Sequence, residues 1–121
     1  MNDIQISKNF KLSEFESPDT KEVKVDGELA SLLQQLREKI GRPLIINSAY
    51  RTKQHNKAVG GVENSQHRLG KAVDISLENL TYTADDVEKL AEQIGFKGIG
   101  KYNTFIHLDV REYPARWDNR E

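Results

Sequence analysis

The chain has 121 residues, 18 basic and 19 acidic, for a formal charge of −1, a length that builds one hydrophobic core and not two. With near-neutral charge and no Lys/Arg run there is no electrostatic footing for nucleic acid. No apolar stretch approaches the ~18 residues of a spanning helix, and the polar start from Met1 to Lys11 lacks the apolar region of a secretory leader. The absence of cysteine removes disulfides and thiol chemistry and leaves the compartment open.

Residues 1–27 are polar and weakly patterned, with Phe10, Leu12 and Phe15 as anchors against the body and Ser17-Pro18-Asp19 as a turn. Leu29, Leu32, Leu33, Leu36 and Ile40 follow helical spacing, which predicts a helix over 28–40 with Asp26 as N-cap and Gly41 then Pro43 as its stop. Residues 44–50 read as a buried strand that delivers Arg51 at its exit. A short helix over about 52–58 follows, capped by Thr52 and stopped by Gly60-Gly61, and a loop through Glu63-Asn64-Ser65 leads to His67. From Lys71 to Leu77 the residues alternate, with Val73, Ile75 and Leu77 on one face and Ala72, Asp74 and Ser76 on the other. Thr83 with Asp86 forms a capping-box-like pair ahead of a helix over about 84–94, and Gly95 closes it. Gly98 to Tyr102 and Phe105 to Arg111 follow, and the chain ends in a polar tail from which Trp117 packs back. Helices mixed with hairpin-compatible strands, without regular βαβ alternation, indicate a single α+β domain over 1–121 with an antiparallel sheet packed with helices.

The residues with the most chemical content are two histidines and two aspartates. In Phe105 to Arg111, Ile106, Leu108 and Val110 alternate with His107, Asp109 and Arg111. His107 and Asp109 are therefore same-face neighbours, roughly 7 Å apart at about 3.3 Å rise per residue. Asp74 is a carboxylate inside an otherwise good strand, where aspartate is depleted, and a residue that breaks the local rule points to a function. Histidine and carboxylate are ligands for borderline and hard divalent cations, and a His/Asp/His set leaves a fourth tetrahedral position open. The residue pattern alone leaves an ordinary surface or hydrogen-bonded histidine as the competing reading.

Ser48-Ala49-Tyr50-Arg51-Thr52, His55-Asn56, Val59-Gly60-Gly61, Ser65-Gln66-His67, Gly70, Ala72 and Asp74 closely resemble the M15 zinc peptidases. That group includes D-alanyl-D-alanine carboxypeptidases and peptidoglycan endopeptidases. Gly98 to Tyr102 and Phe105 to Arg111 resemble its second half, and Asn9-Phe10 with Glu14-Phe15 resembles its opening. The resemblance implies a hedgehog/DD-peptidase-like fold and a zinc site at His67, Asp74 and His107. It also implies that Arg51 contacts a substrate carbonyl or carboxylate, a role that suits a guanidinium fork; a structural ion pair is the alternative for Arg51. Ser65 and Gln66 are expected either to position the His67 loop by hydrogen bonds or to serve the fold alone, and His55 to pack on its helix or support a ligand from outside rather than to be a fourth ligand.

One position departs from the resemblance. M15 enzymes carry a glutamate or aspartate three residues before the last histidine ligand as general base, and here that position is Thr104. Asp109 is the nearest replacement, either as the base or as a carboxylate that accepts a histidine N–H and fixes its tautomer; Glu63 stands well behind it. The expectation is a zinc metallopeptidase that hydrolyses peptidoglycan stem peptides, as a carboxypeptidase or a cross-link endopeptidase. A non-catalytic, zinc-containing wall-binding domain is the alternative. A monomer is expected, with stem peptides as partners and neither nucleic acid nor membrane insertion. Synthesis in the cytoplasm and action at the wall fit a phage lysin, a trimmed precursor, or export by another route.

Overall fold

Phe10 and Phe15 anchor the amino-terminal segment edge to face, with ring centroids 6.1 Å apart, and both are buried. The computed structural model, which describes residues 2–121, folds this segment into a small antiparallel hairpin of β1 (Gln5–Ser7) and β2 (Phe10–Lys11), followed by a 3-10 turn at Leu12–Phe15. The weak patterning of residues 1–27 hid this hairpin, because strands this short expose most of their side chains.

Helix α1 (Gly27–Ile40) starts where the leucine spacing places it. The Asp26 carboxylate accepts from the amides of Glu28 and Leu29, which satisfies two of the four orphan donors of the first turn. At the other end Gly41 takes the left-handed conformation (φ 72°) and donates its N–H to the Arg37 carbonyl. Asp26→Ala is expected to cost about 1 kcal/mol through loss of this cap. In a domain of this size, thermal unfolding should register it as a drop of about 3–5 °C in Tm.

The main sheet has five strands in the order β3 (Ile46–Ser48), β4 (Ala72–Ser76), β6 (Phe105–Asp109), β5 (Gly98–Lys101), β7 (Ala115–Asp118). All neighbouring pairs are antiparallel except β5 with β7, which is parallel. One face presents Val73, Ile75, Ile99, Ile106 and Leu108. These form a common core with Leu33 and Leu36 of α1 and with Val87 and Ala91 of α3 (Ala84–Ile94). Thr83 and Asp86 make the reciprocal capping box at the start of α3. The short helix α2 (Lys53–Ala58), capped by the Thr52 hydroxyl, and a 3-10 turn at Gln66–Leu69 lie between β3 and β4 in sequence. No helix among the described residues is long and apolar enough to cross a membrane.

Two sequence expectations change. The strand expected over 44–50 is only Ile46–Ser48. A register irregularity interrupts its pairing with β4, and the chain then leaves the sheet, with the Tyr50 amide donating to the Phe15 carbonyl and the Arg51 amide to the His67 carbonyl. The carboxy-terminal tail is an edge strand, not an irregular segment, because Ala115 and Trp117 turn inward while Arg116 and Asp118 face solvent.

Candidate metal centre and cleft

On the sheet face away from the core, one cross-strand row runs Ser48, Asp74, His107, Gly100, Trp117, each residue opposite the next in register. Residues directly opposite in a sheet bring their side chains within contact distance, so pairing of β4 with β6 is what joins Asp74 to His107. The third member comes from outside the sheet. Ser65 Oγ accepts from the His67 amide and sets the 3-10 turn that swings His67 over Asp74. All three are buried, and a nitrogen of each histidine lies close to Asp74 Oδ1, at 3.2 Å for His67 Nε2 and 3.0 Å for His107 Nδ1. Among the described residues this is the one group of three or more His, Cys, Asp or Glu side chains arranged to hold an ion.

The outer hydrogen bonds assign the ring protons. His67 Nδ1 lies 2.7 Å from the Ala49 carbonyl, which only accepts, so Nδ1 carries hydrogen and Nε2 keeps its lone pair. His107 Nε2 lies 2.7 Å from Asp109 Oδ2, so the same argument leaves Nδ1 with the lone pair. When both rings are neutral, two lone pairs and a carboxylate oxygen face one another. A proton on one ring satisfies one of those contacts, and a divalent cation satisfies all of them. The spacings are close to the edge of about 3.3 Å expected for a tetrahedron with bonds of about 2.0–2.1 Å to zinc. The donor set therefore fits zinc.

Burial works against the charged form of Asp74, but hydrogen bonds from His107 and His67, with their charges, outweigh it and hold the carboxyl well below its ordinary 3.8. Burial likewise works against protonated His107. Hydrogen bonds to Asp109 and Asp74 reverse that effect and raise its pKa above 6.5.

Asp109 has no solvent exposure. Besides its contact with His107, it accepts from Arg111 Nε to Oδ1 at 2.9 Å and from Arg111 Nη2 to Oδ2 at 2.6 Å, with the Arg111 amide at 3.1 Å from Oδ1. Burial opposes its ionisation, and the bonds from His107 and Arg111 overcome that and hold its pKa low. The space for this carboxylate exists because Gly98, opposite it on β5, has no side chain. Two residues along the same strand face, Gly100 makes equivalent room for the Trp117 indole. Trp117 lies 5.1 Å from the His107 ring and donates to the Tyr102 hydroxyl, and the Arg111 guanidinium sits 5.4 Å from its ring centroid. The sequence places Arg111 on the His107 face, has Trp117 pack back from the tail and includes Gly98 to Tyr102 in the resemblance, but assigns none of them a part in the site. The alternation Gly98-x-Gly100 was the available signal, since two glycines on one strand face mark a close approach from above.

The three candidate ligands lie in an open cleft of about 510 Å3 whose lining includes Arg51, Ser65, Gln66, Tyr102, Arg111 and Trp117. Arg51 is held at three points: Nε donates to Ser48 Oγ, Nη1 to Asn56 Oδ1, and Nη2 lies 3.5 Å from Asp74 Oδ2. The structure shows Arg51 in an ion pair with Asp74 while it also lines the cleft. Thr104 is exposed and lies outside the cleft lining, as do Glu63 and His55.

A family model described as Peptidase M15 matches residues 8–109. No curated protein matches the sequence. The match takes in β2 through β6 and so covers His67, Asp74 and His107 together with Arg51 and Asp109. The chain therefore belongs to the peptidase M15 family.

Proposed function

We propose that this M15 peptidase is a zinc enzyme that hydrolyses peptide bonds in peptidoglycan stem peptides. The observation that carries the reading is the convergence of His67 Nε2, His107 Nδ1 and Asp74 Oδ1 at the floor of an open cleft, with every other polar atom of the two rings already committed to an outer partner. Zinc bound there supplies Lewis-acid polarisation of a carbonyl and lowers the pKa of a coordinated water toward about 7. The remaining work falls to the chain. Asp74 and the two imidazoles hold the ion, and the Ala49 carbonyl and Asp109 fix the ring tautomers. Arg51, braced by Ser48 and Asn56, presents donors to a substrate carbonyl or terminal carboxylate.

Asp109 is assigned to positioning rather than to proton abstraction. A general base must reach the proton it takes, within hydrogen-bond distance or through one water. Asp109 lies behind His107 with both oxygens engaged by Arg111. One observation favours the second reading, a non-catalytic metal-holding wall-binding domain: apart from Asp74, the cleft lining contains no carboxylate.

Mass spectrometry of sacculi digested with the zinc-loaded protein separates the two readings. New peptide termini are expected, and Arg51→Ala is expected to lower turnover by at least about tenfold, or ~1.4 kcal/mol, with one zinc per chain retained. Absence of new termini between pH 5 and 9, with zinc shown to be bound, would establish the non-catalytic reading.

A further inference from the structure

Beside the catalytic cleft, across Gly60 and Gly61, lies a second hollow of about 410 Å3 that no part of the mechanism uses. Its walls carry three cations. Lys53 and Lys57 are four residues apart on α2 and so share one helix face. Arg68 approaches from the 3-10 turn that carries His67, half-buried and oriented by a 2.7 Å bond from Nη1 to the Glu63 carbonyl. Among the described residues none of the three makes an ion pair within 4.0 Å. The Glu63 side chain is the one carboxylate in the lining. In a chain with 18 basic and 19 acidic residues this is a local excess of positive charge. It borders the cleft, whose wall arginines, Arg51 and Arg111, are each paired with an aspartate, Asp74 and Asp109.

The hollow and the cleft share a structural member. Asn56 is buried; its Oδ1 accepts from Arg51 Nη1 on the cleft side, and its amide nitrogen donates to the Val62 carbonyl, holding the Gly60-to-Val62 segment that divides the two spaces. A substrate lying over Arg51 therefore passes beside a cationic recess, in which Arg68 is held by the Glu63 carbonyl and Lys53 and Lys57 are exposed. We propose that this recess is a substrate subsite for a carboxylate that branches from the peptide away from the scissile bond, so that the favoured substrate is an acidic stem peptide. The inference rests on the reading of the cleft as a peptidase site. In a stem peptide, the free α-carboxylate of the γ-linked D-glutamyl residue has the required chemistry.

The test compares two stem pentapeptides that differ only in whether that α-carboxylate is free or amidated, using the full zinc-loaded chain. Affinity is measured where no cleavage occurs, and kcat/KM where it does. The wild-type protein is expected to favour the free form by about tenfold, the scale of two or three partly screened charge contacts. The preference should fade as salt rises from about 0.05 to 0.5 M. In Lys53→Gln/Lys57→Gln the ratio should collapse toward about one, whereas the distant pair Lys8→Gln/Lys39→Gln, with the same change in net charge, should retain it. Equal affinity of the wild-type protein for the two peptides, no binding of either, or an equal loss of preference in the distant variant overturns the proposal. A retained preference without cleavage products leaves the subsite standing and refutes the peptidase reading instead, so the two failures are distinguishable.

Discussion

His67→Ala and His107→Ala are expected to abolish tight zinc binding, each lowering affinity by more than about a hundredfold, and to take hydrolysis with it. The size follows from what each ring does. Losing an outer hydrogen-bond partner of a ligand already costs about 10- to 100-fold in affinity, and loss of the ligand itself removes a coordinate bond and leaves buried Asp74 without one of its two imidazole neighbours. His55→Ala should keep one zinc per chain, because His55 is outside the cluster. Isothermal titration with zinc measures this directly. Thermal melting gives a second readout, since a ligand at 100 times its Kd stabilises the native state by about 2.7 kcal/mol. Loss of zinc in His55→Ala with retention in His67→Ala would overturn the ligand assignment.

Acidity acts on the same groups with opposite signs. The raised pKa of His107 contributes stability to the metal-free protein that is complete below 6.5 and is lost as pH rises through the folded-state value. The depressed values of Asp74 and Asp109 contribute stability present above 3.8 and lost as pH falls through their folded-state values. Metal-free stability should therefore be greatest between about 4 and 6.5. Zinc requires neutral imidazoles, so its stabilisation should grow as pH rises through the range in which the metal-free protein weakens.

Asp109→Asn is the second large effect. A true general base contributes about 10²- to 10⁴-fold to rate, and its loss leaves metal affinity nearly intact. The geometry predicts the other pattern. An asparagine carbonyl in the Oδ2 place can still accept from His107 Nε2, but its NH2 then takes the Oδ1 place and meets the Arg111 Nε and amide donors that now bind there. Arg111 loses its partner in a half-buried site, and the imidazole loses the negative charge that orients it. Zinc affinity is expected to fall by about 10- to 100-fold, and saturating zinc should restore most of the rate. The fold should weaken by up to about 3 kcal/mol, because one member of an ion pair with a fully buried carboxylate is removed. Activity measured against zinc concentration, beside a denaturant melt, decides the matter. A rate defect that persists at saturating zinc with unchanged affinity would return Asp109 to the role of base.

Much of this molecule is local information. The leucine stripe of α1 and the capping pair Thr83/Asp86 of α3 depend on spacings of three and four residues and on side chains that bond their own helix ends, so both helices are legible from a single line of sequence. The alternation in 71–77 and 105–111 likewise separates core positions from polar ones, and the family motif marks His67, Asp74 and His107. The tertiary structure decides what those residues do to one another. Asp74 faces His107 because the β4–β6 register puts them opposite, and a slip of one residue would turn either side chain to the other face. Whether Asp109 is base or support is equally a matter of packing: Gly98 from the neighbouring strand makes its pocket, and Arg111 fills its remaining valence. The final strand shows the same limit most clearly. Residues 115–118 are too polar to read as a strand alone. Pairing with β5, together with the space above Gly100 that admits the Trp117 ring, is a long-range condition. Sequence determines which side chains carry the chemistry and which helices hold the core; only the assembled sheet sets the distances that turn those side chains into a site.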